Sequence, residues 1–270
     1  MNRKHPEKRG AFSGKLGYVL SAAGASVGLG NIWRFPYLAA KYGGGIFLLV
    51  YILLALTFGY TMIVAESALG RMTQKSPVGA FRSFGKKKWI SFGGWINAII
   101  PILIVPYYSV IGGWVIRYLS AYVSGHGSEL ATDGYFSAFI SSGASAEICF
   151  VIFTIFTLAI IFAGVRNGVE RVSKVMMPVL VVLSVVIAGY SVTRPGALEG
   201  VKYFLVPNVA NFSWMTVVTA MGQMFYSLSI AMGILVTFGS YMKKDVSIED
   251  STENVELFDT CLLYTSDAAD

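Results

Sequence analysis

The segment from Gly24 to Pro36 reads Gly-Ala-Ser-Val-Gly-Leu-Gly-Asn-Ile-Trp-Arg-Phe-Pro, and it sets Asn31 and Arg34 inside an otherwise apolar block. A strongly polar or charged side chain at membrane depth is costly unless it is paired or wet, which makes it a site hypothesis by default. Gly24, Gly28 and Gly30 fall within seven residues. Glycine weakens a helix, so this spacing invites local unwinding. Unwound carbonyls are oxygen ligands for a hard cation, and the Asn31 amide offers another. The competing reading is a small-residue packing face over Gly24 and Gly28. Asn31 and Arg34 on the same segment weigh toward a site.

A second segment, Gly222-Gln-Met-Phe-Tyr-Ser-Leu-Ser-Ile-Ala-Met-Gly233, repeats the theme. One serine in a membrane helix means little, because it bonds to a carbonyl one turn back. Gln223, Tyr226, Ser227 and Ser229 within seven residues are harder to dismiss. Two interrupted spans in corresponding positions are the best sequence pointer to a transporter binding site. Tyr107, Tyr108 and Trp114 follow Pro101 and Pro106. They read either as interfacial aromatics or, for Tyr108, as a pocket residue. Glu66 reads equally as a buried partner for Arg or backbone amides and as an interfacial acid.

Chemistry of the soluble-enzyme kind finds no footing. His5 and His126 lie in a tail and a loop, and no His/Cys cluster has metal spacing. Gly28-x-Gly30 lacks the rest of a dinucleotide fingerprint and the strand before it. Cys149 and Cys261 make no disulfide framework.

The elements that must hold these residues follow from composition. Of 270 residues 55% are hydrophobic and 13% charged, against about 25% charged in a typical soluble domain. Mean hydropathy is +0.62. The apolar residues come in blocks, and a spanning helix needs roughly 20 of them. Six spans are expected, at about 16–38, 45–69, 92–122, 147–164, 175–191 and 212–241. They must be helices, since backbone polar groups in lipid are satisfied internally. The start is polar, with no cleaved targeting segment evident.

Net charge is +6, but Lys and Arg sit in short loops beside apolar blocks, which is a topology signal and not a nucleic-acid surface. Sixteen of the 21 basic residues fall in the N-terminal tail, the loops after spans two and four, and the end of span six. The opposite loops hold only Lys41, Arg194 and Lys202. Both ends are therefore expected in the cytoplasm, and the protein in the plasma membrane.

The string Ser-Val-Gly-Leu-Gly-Asn-Ile-Trp-Arg-Phe-Pro resembles the first-helix signature of the sodium:neurotransmitter symporter family. Lys41-Tyr-Gly-Gly-Gly45, Glu66 to Arg71, Tyr107-Tyr108 with Trp114, and Gly222 to Gly233 continue the likeness, collinearly from about Arg9 to Lys244. The resemblance implies an all-α membrane protein with the LeuT-like inverted-repeat fold, here its first six or so helices, with helices 1 and 6 interrupted. It implies sodium-coupled symport of a small neutral amino acid by alternating access, with no covalent chemistry and so no enzyme.

By the same resemblance, the carbonyls of Gly24 and Val27 match ligands of one sodium ion. The Ser26 carbonyl, the Asn31 side chain and Ser227 match those of another, which also touches the substrate carboxylate. Ser26, Gly28, Gly30, Ile104, Tyr108, Tyr226, Ser227, Ser229 and Met232 match the substrate pocket. Arg34 and Gln223 match the outer gate, and Arg9 and Tyr241 the cytoplasmic gate. Monoamine carriers of the family place an aspartate where this chain has Gly28, so the ligand is expected to bring its own carboxylate.

Three departures stand out. Family members have about twelve spans, built as an inverted repeat, and residues 1–244 match only the N-terminal part. The seventh helix's Asn and the eighth helix's Ser/Thr pair, which complete the sodium sites, are expected to be missing. Residues 245–260 are expected as a cytoplasmic loop toward an absent helix 7, and 261–270 as an aberrant tail, so the chain alone is not expected to transport. Finally, Ala231 stands where helix 6 often breaks at a glycine. The rival readings are a transporter-like sensor or scaffold, a non-functional fragment, and a channel. Sodium-dependent uptake would separate transport from sensing, and a non-saturating current would mark a channel. Chloride dependence, sodium stoichiometry and oligomeric state stay open.

Overall fold

Apolar runs of this length leave backbone groups no partners but one another, so the chain is built of helices. The computed structural model describes residues 11–28, 30–85 and 87–267, with backbone alone for 263–267. Among the described residues the sole β-pairing is an isolated bridge between Gly44 and Pro207.

The first apolar block is split. α1 (Lys15–Ser26) gives way to a π turn at Gly30–Arg34 and then α2 (Phe35–Lys41). α3 (Gly45–Leu54) and α4 (Tyr60–Thr73) join through a π turn at Ala55–Gly59, and α5 (Pro77–Arg82) leads to the long α6 (Lys88–Val123). The short α7 (Gly127–Leu130) and α8 (Tyr135–Ser141) precede α9 (Gly143–Phe162). A π turn at Val165–Glu170 runs into α10 (Arg171–Val192), followed by α11 (Ala197–Leu205). The last apolar block is split like the first, into α12 (Trp214–Ser227) and α13 (Ile234–Gly239), and α14 (Ile248–Asp267) closes the chain.

Four stretches are long and apolar enough to cross a membrane: Gly45–Thr73, Lys88–Val123, Gly143–Phe162 and Val165–Val192. The first and sixth blocks fall short of that measure because each is broken in the middle. Every residue of α9 is at least partly exposed, and Ile155, Phe156 and Phe162 lie open on it. Such faces suit lipid, which solvates side chains but not backbone.

The interior cluster holds Phe35, Phe47, Tyr51, Ile63, Met224, Leu228 and Leu235. It binds the second half of the first broken block, with α3 and α4, to both halves of the last. α4 and α13 touch backbone to backbone: a Cβ at Gly70 would sit 2.8 Å from the Val236 carbonyl carbon, and one at Gly239 2.9 Å from Ser67 Cα. Small residues permit such close approach between membrane helices.

One expectation is corrected here. Residues 248–267, lying in the stretch expected as a loop over 245–260 and a tail from 261, form the single helix α14. Ile248, Val255, Phe258 and Leu262 recur every three to seven residues and pack on Tyr18, Val19, Ala22 and Ala23 of α1. The polar residues between them hid that period from a reading based on hydropathy, because Ser251, Thr252, Glu256 and Asp259 are buried too.

Candidate functional site

The two breaks face each other. At the end of α1 the backbone turns extended at Val27 (φ −83°, ψ 103°), and the Val27 N–H still donates to Ala23 O at 2.7 Å. Beyond it, the N–H groups of Asn31 and Ile32 both donate to Gly28 O, at 3.1 and 3.2 Å. At the other break, Ser229, Ala231 and Gly233 all have positive φ, at 55°, 61° and 68°. The left-handed region costs a non-glycine residue roughly 1–2 kcal/mol. The carboxylate of Glu66 helps hold this strained turn, since its Oε1 accepts the Ala231 N–H at 2.7 Å. Of the two readings of Glu66, the buried partner of a backbone amide is the one observed. Ala231, where glycine was the family habit, takes the glycine conformation regardless.

Side chains stitch the breaks together. Gln223 Nε2 donates to Gly30 O at 2.8 Å, and Ser229 Oγ donates to Ala25 O at 3.1 Å. At the centre Asp259 of α14 receives three donors: Asn31 Nδ2 at 2.6 Å, Ser227 Oγ at 2.8 Å and Tyr51 Oη at 2.9 Å. Ser227 Oγ also lies 3.0 Å from Asn31 Oδ1. Asn31, Tyr51 and Asp259 are 0% exposed and Ser227 1%. Among the described residues the ion pairs lie elsewhere, at Lys15–Asp250 and Lys174–Glu170. A buried carboxylate without a fixed counter-charge is strongly disfavoured. A cation at this cluster would remove the penalty.

Beside this cluster lies an aromatic wall. A Cβ on Gly28 would sit 3.8 Å from Tyr108 Cε1 and 3.9 Å from its hydroxyl. A Cβ on Gly30 would press to 2.8 Å from the Tyr226 ring. The Tyr108 and Tyr226 ring centroids are 6.4 Å apart, and Arg34 Cζ lies 5.0 Å from the Tyr226 centroid. Ile104 and Met232 are half-buried. Ser26 Oγ, Gln223 Oε1 and Glu66 Oε2 are buried without a partner. Polar atoms left in this state mark places where a ligand or water is wanted.

The remaining residues singled out in the sequence fall as follows. Gly24 faces α10, where a Cβ would make ordinary contact with Ser173 Oγ at 3.5 Å and Met177 Sδ at 3.6 Å. Sterics therefore demand glycine at neither Gly24 nor Gly28, which weakens the packing explanation. Tyr107 is exposed and Trp114 meets Phe136 of α8 edge-on at 5.0 Å between ring centroids, so the structure separates both from Tyr108's place beside the breaks. Tyr241 lies at the far end of α13, where its carbonyl accepts the Phe12 N–H at 3.1 Å. Arg9 lies outside the described residues.

The sequence reading missed Asp259 and Tyr51. The helix after the sixth block contributes an oxygen-bearing side chain to the cluster, Asp259. The signal was available: Asp259 lies one residue from Phe258 and three from Leu262 in an amphipathic period, so an acid there is placed on a packed helix.

Comparisons with known proteins agree with this geometry. The model of the sodium:neurotransmitter symporter family matches residues 9–131 and 136–264. An uncharacterized sodium-dependent transporter of Bacillus subtilis, YhdH, is 35% identical over 249 residues, covering 91% of this chain and 55% of the relative. The inactive human sodium-dependent neutral amino acid transporter B(0)AT3 is 30% identical, covering 87% of this chain and 42% of the relative. The crystal structure of MhsT in complex with L-phenylalanine superposes with a TM-score of 0.88 at 34% identity, covering 97% of this chain and 60% of that one. The chain spans about half the length of the curated relatives it matches. A broken first helix facing a broken sixth, an interior built from both, and a family match over nearly the whole sequence lead to one conclusion: this chain belongs to the sodium:neurotransmitter symporter family, a family of membrane transporters.

Proposed function

We propose that the protein moves a small neutral amino acid across the plasma membrane together with sodium, using the two breaks as the binding site. The observation that carries this reading is the buried Asn31–Ser227–Asp259 cluster, in which three separate elements converge oxygen atoms around an uncompensated carboxylate. One sodium ion would take oxygens from Asn31, Ser227, Asp259 and the Ser26 carbonyl, and a second from the carbonyls of Gly24 and Val27. Sodium here is cargo and not a resident cofactor.

The amino acid would lie between Gly28, Tyr108 and Tyr226, with its carboxylate toward the Tyr108 hydroxyl. Ser26, Gly30, Ile104, Ser229 and Met232 would form the rest of the pocket. Arg34 and Gln223 would close it from outside, with Arg9 and Tyr241 on the cytoplasmic side. The phenylalanine bound by MhsT supports an amino-acid ligand. Gly28 supports one that keeps its carboxylate, because that position carries no side-chain acid to replace it. Sodium and amino acid sharing one cluster would each bind better with the other present, a reciprocal coupling free energy.

Uptake of labelled phenylalanine or leucine into proteoliposomes bearing the full-length protein tests the reading. Uptake is expected under an inward sodium gradient and not under an equal potassium gradient. Uptake indifferent to sodium would sink it.

A further inference from the structure

Three elements converge on Ser13, the residue before α1's N-cap. α1 begins without a cap of its own: Gly14 stands at the N-cap, no side chain bonds the first turn, and no acid lies in it. Exposed N–H groups and a positive dipole end normally draw an acceptor or an anion there.

Glu170, the last residue of the π turn before α10, brings a carboxylate beside this end and bonds the residue ahead of the cap. Its Oε2 accepts the Ser13 N–H at 2.8 Å, and its Oε1 accepts the Ser13 hydroxyl. Lys174 fixes the carboxylate through Oε1 at 2.6 Å and also reaches Ser13 Oγ at 3.0 Å. Lys243, beyond the end of α13, donates to Ser13 O at 2.7 Å. Glu170 can lie this close because residue 17 is glycine: a Cβ there would run into its carboxyl group. The side chain of Glu170 is 2% exposed, so its end of the contact is shielded from water, while Ser13 is exposed. Next to it, Phe12 is enclosed by edge contacts to Tyr18, Phe238 and Tyr241, at 5.8, 5.7 and 6.5 Å between ring centroids.

From this arrangement we infer that Glu170 is a latch: it pins Ser13, just before the N-cap of α1, and so holds that end of the helix closed against α10 and the end of α13. The inference rests on the transport reading in one respect, the purpose of opening. α1 carries the first break, so freeing its N-terminal end loosens the ion and amino-acid ligands toward the side the basic loops mark as cytoplasmic. Phe12 gives the closed state apolar contact without a directional bond. The Glu170–Ser13 pair gives it a directional contact that is either made or broken. Charge-assisted hydrogen bonds of this kind are the strong ones.

Hydrogen exchange on the full chain in lipid nanodiscs tests the latch without any transport assay. Glu170→Gln keeps the shape and removes the charge. Exchange at amides 15–20 is expected to rise about tenfold, the effect of one charge-assisted hydrogen bond, while amides 214–227 of α12 stay unchanged. An unchanged α1, or an equal rise in α12, would overturn the latch. Should Glu170→Gln fail to fold, Ser13→Ala reads the same contact from its exposed partner. A rise of about threefold is expected there, since only one of two Ser13 donors is lost, and no rise would overturn the proposal. Either overturning result leaves sodium-driven uptake untouched, and loss of that uptake with α1 loosened as expected would count against symport alone.

Discussion

Replacing Gly30 with alanine asks whether the site is as tightly built as it looks. The added methyl carbon would lie 2.8 Å from both Cδ1 and Cε1 of Tyr226 and 3.8 Å from Gln223 Nε2. Carbon atoms sit comfortably about 3.5–4.0 Å apart, so the ring would have to retreat by about 1 Å. It is not free to do so unpunished: Arg34 lies on its face at 5.0 Å and the Tyr108 ring is 6.4 Å away. Forcing a methyl into a packed site costs about 1–3 kcal/mol. Taken from ligand binding, that weakens affinity by about 5- to 150-fold. Gly28→Ala is the control, because its methyl would meet nothing closer than 3.8 Å. It is expected to hold within about 1 kcal/mol of the parent in stability. Thermal unfolding in detergent, followed by tryptophan fluorescence, and sodium-dependent binding of labelled amino acid read both effects. Gly30→Ala as stable and as tight-binding as Gly28→Ala would show that the Tyr226 ring does not close on Gly30 as described.

Other consequences can be measured separately. Glu66→Ala leaves the Ala231 N–H buried without its acceptor and the left-handed turn unsupported, so stability should fall by about 1–3 kcal/mol, and an unchanged melting temperature would refute the support. In competition assays on the full-length protein, tyrosine should displace labelled ligand better than tyramine, because Gly28 offers no carboxylate to pair with an amine, and the reverse order would break the carboxylate argument. Lys87→Cys should resist labelling from outside intact cells while Ser128→Cys reacts, and external labelling of Lys87→Cys would overturn the orientation.

What could be read in the sequence, and what could not, divides along a physical line. Asn31, Gln223 and Ser227 stand out because they are polar residues in apolar blocks, where a bilayer makes them expensive. The structure brings all three to the facing breaks. Asp259 does not stand out, because its surroundings from Asp245 to Thr260 are polar and a hydropathy reading passes over one more acid. Its importance lies in what faces it, Asn31 and Tyr51, which are 228 and 208 residues away in sequence. Tyr51 was hidden for the opposite reason, as one aromatic among many in an apolar helix. Glu66 was legible as an acid in the second apolar block, buried or interfacial, but not as the partner of Ala231, because nothing local to residue 66 announces a strained turn in another helix. The breaks themselves could be expected from Gly28 and Gly30 in the first block. In the sixth they fall on Ser229 and Ala231, whose positive φ is imposed by tertiary contacts and is invisible in residue type.

The central claim is that the buried carboxylate of Asp259 joins Asn31 and Ser227 in holding a sodium ion that helps bind the amino acid. Titrating sodium against binding of a labelled amino acid, in the full-length protein and in its Asp259→Ala variant, tests it most directly. The account predicts that binding in the parent rises with sodium, and that the variant needs at least about tenfold more sodium for half-maximal binding, the loss of one charged ligand. Binding that ignores sodium in the parent, or a variant whose sodium dependence matches the parent's, would contradict it.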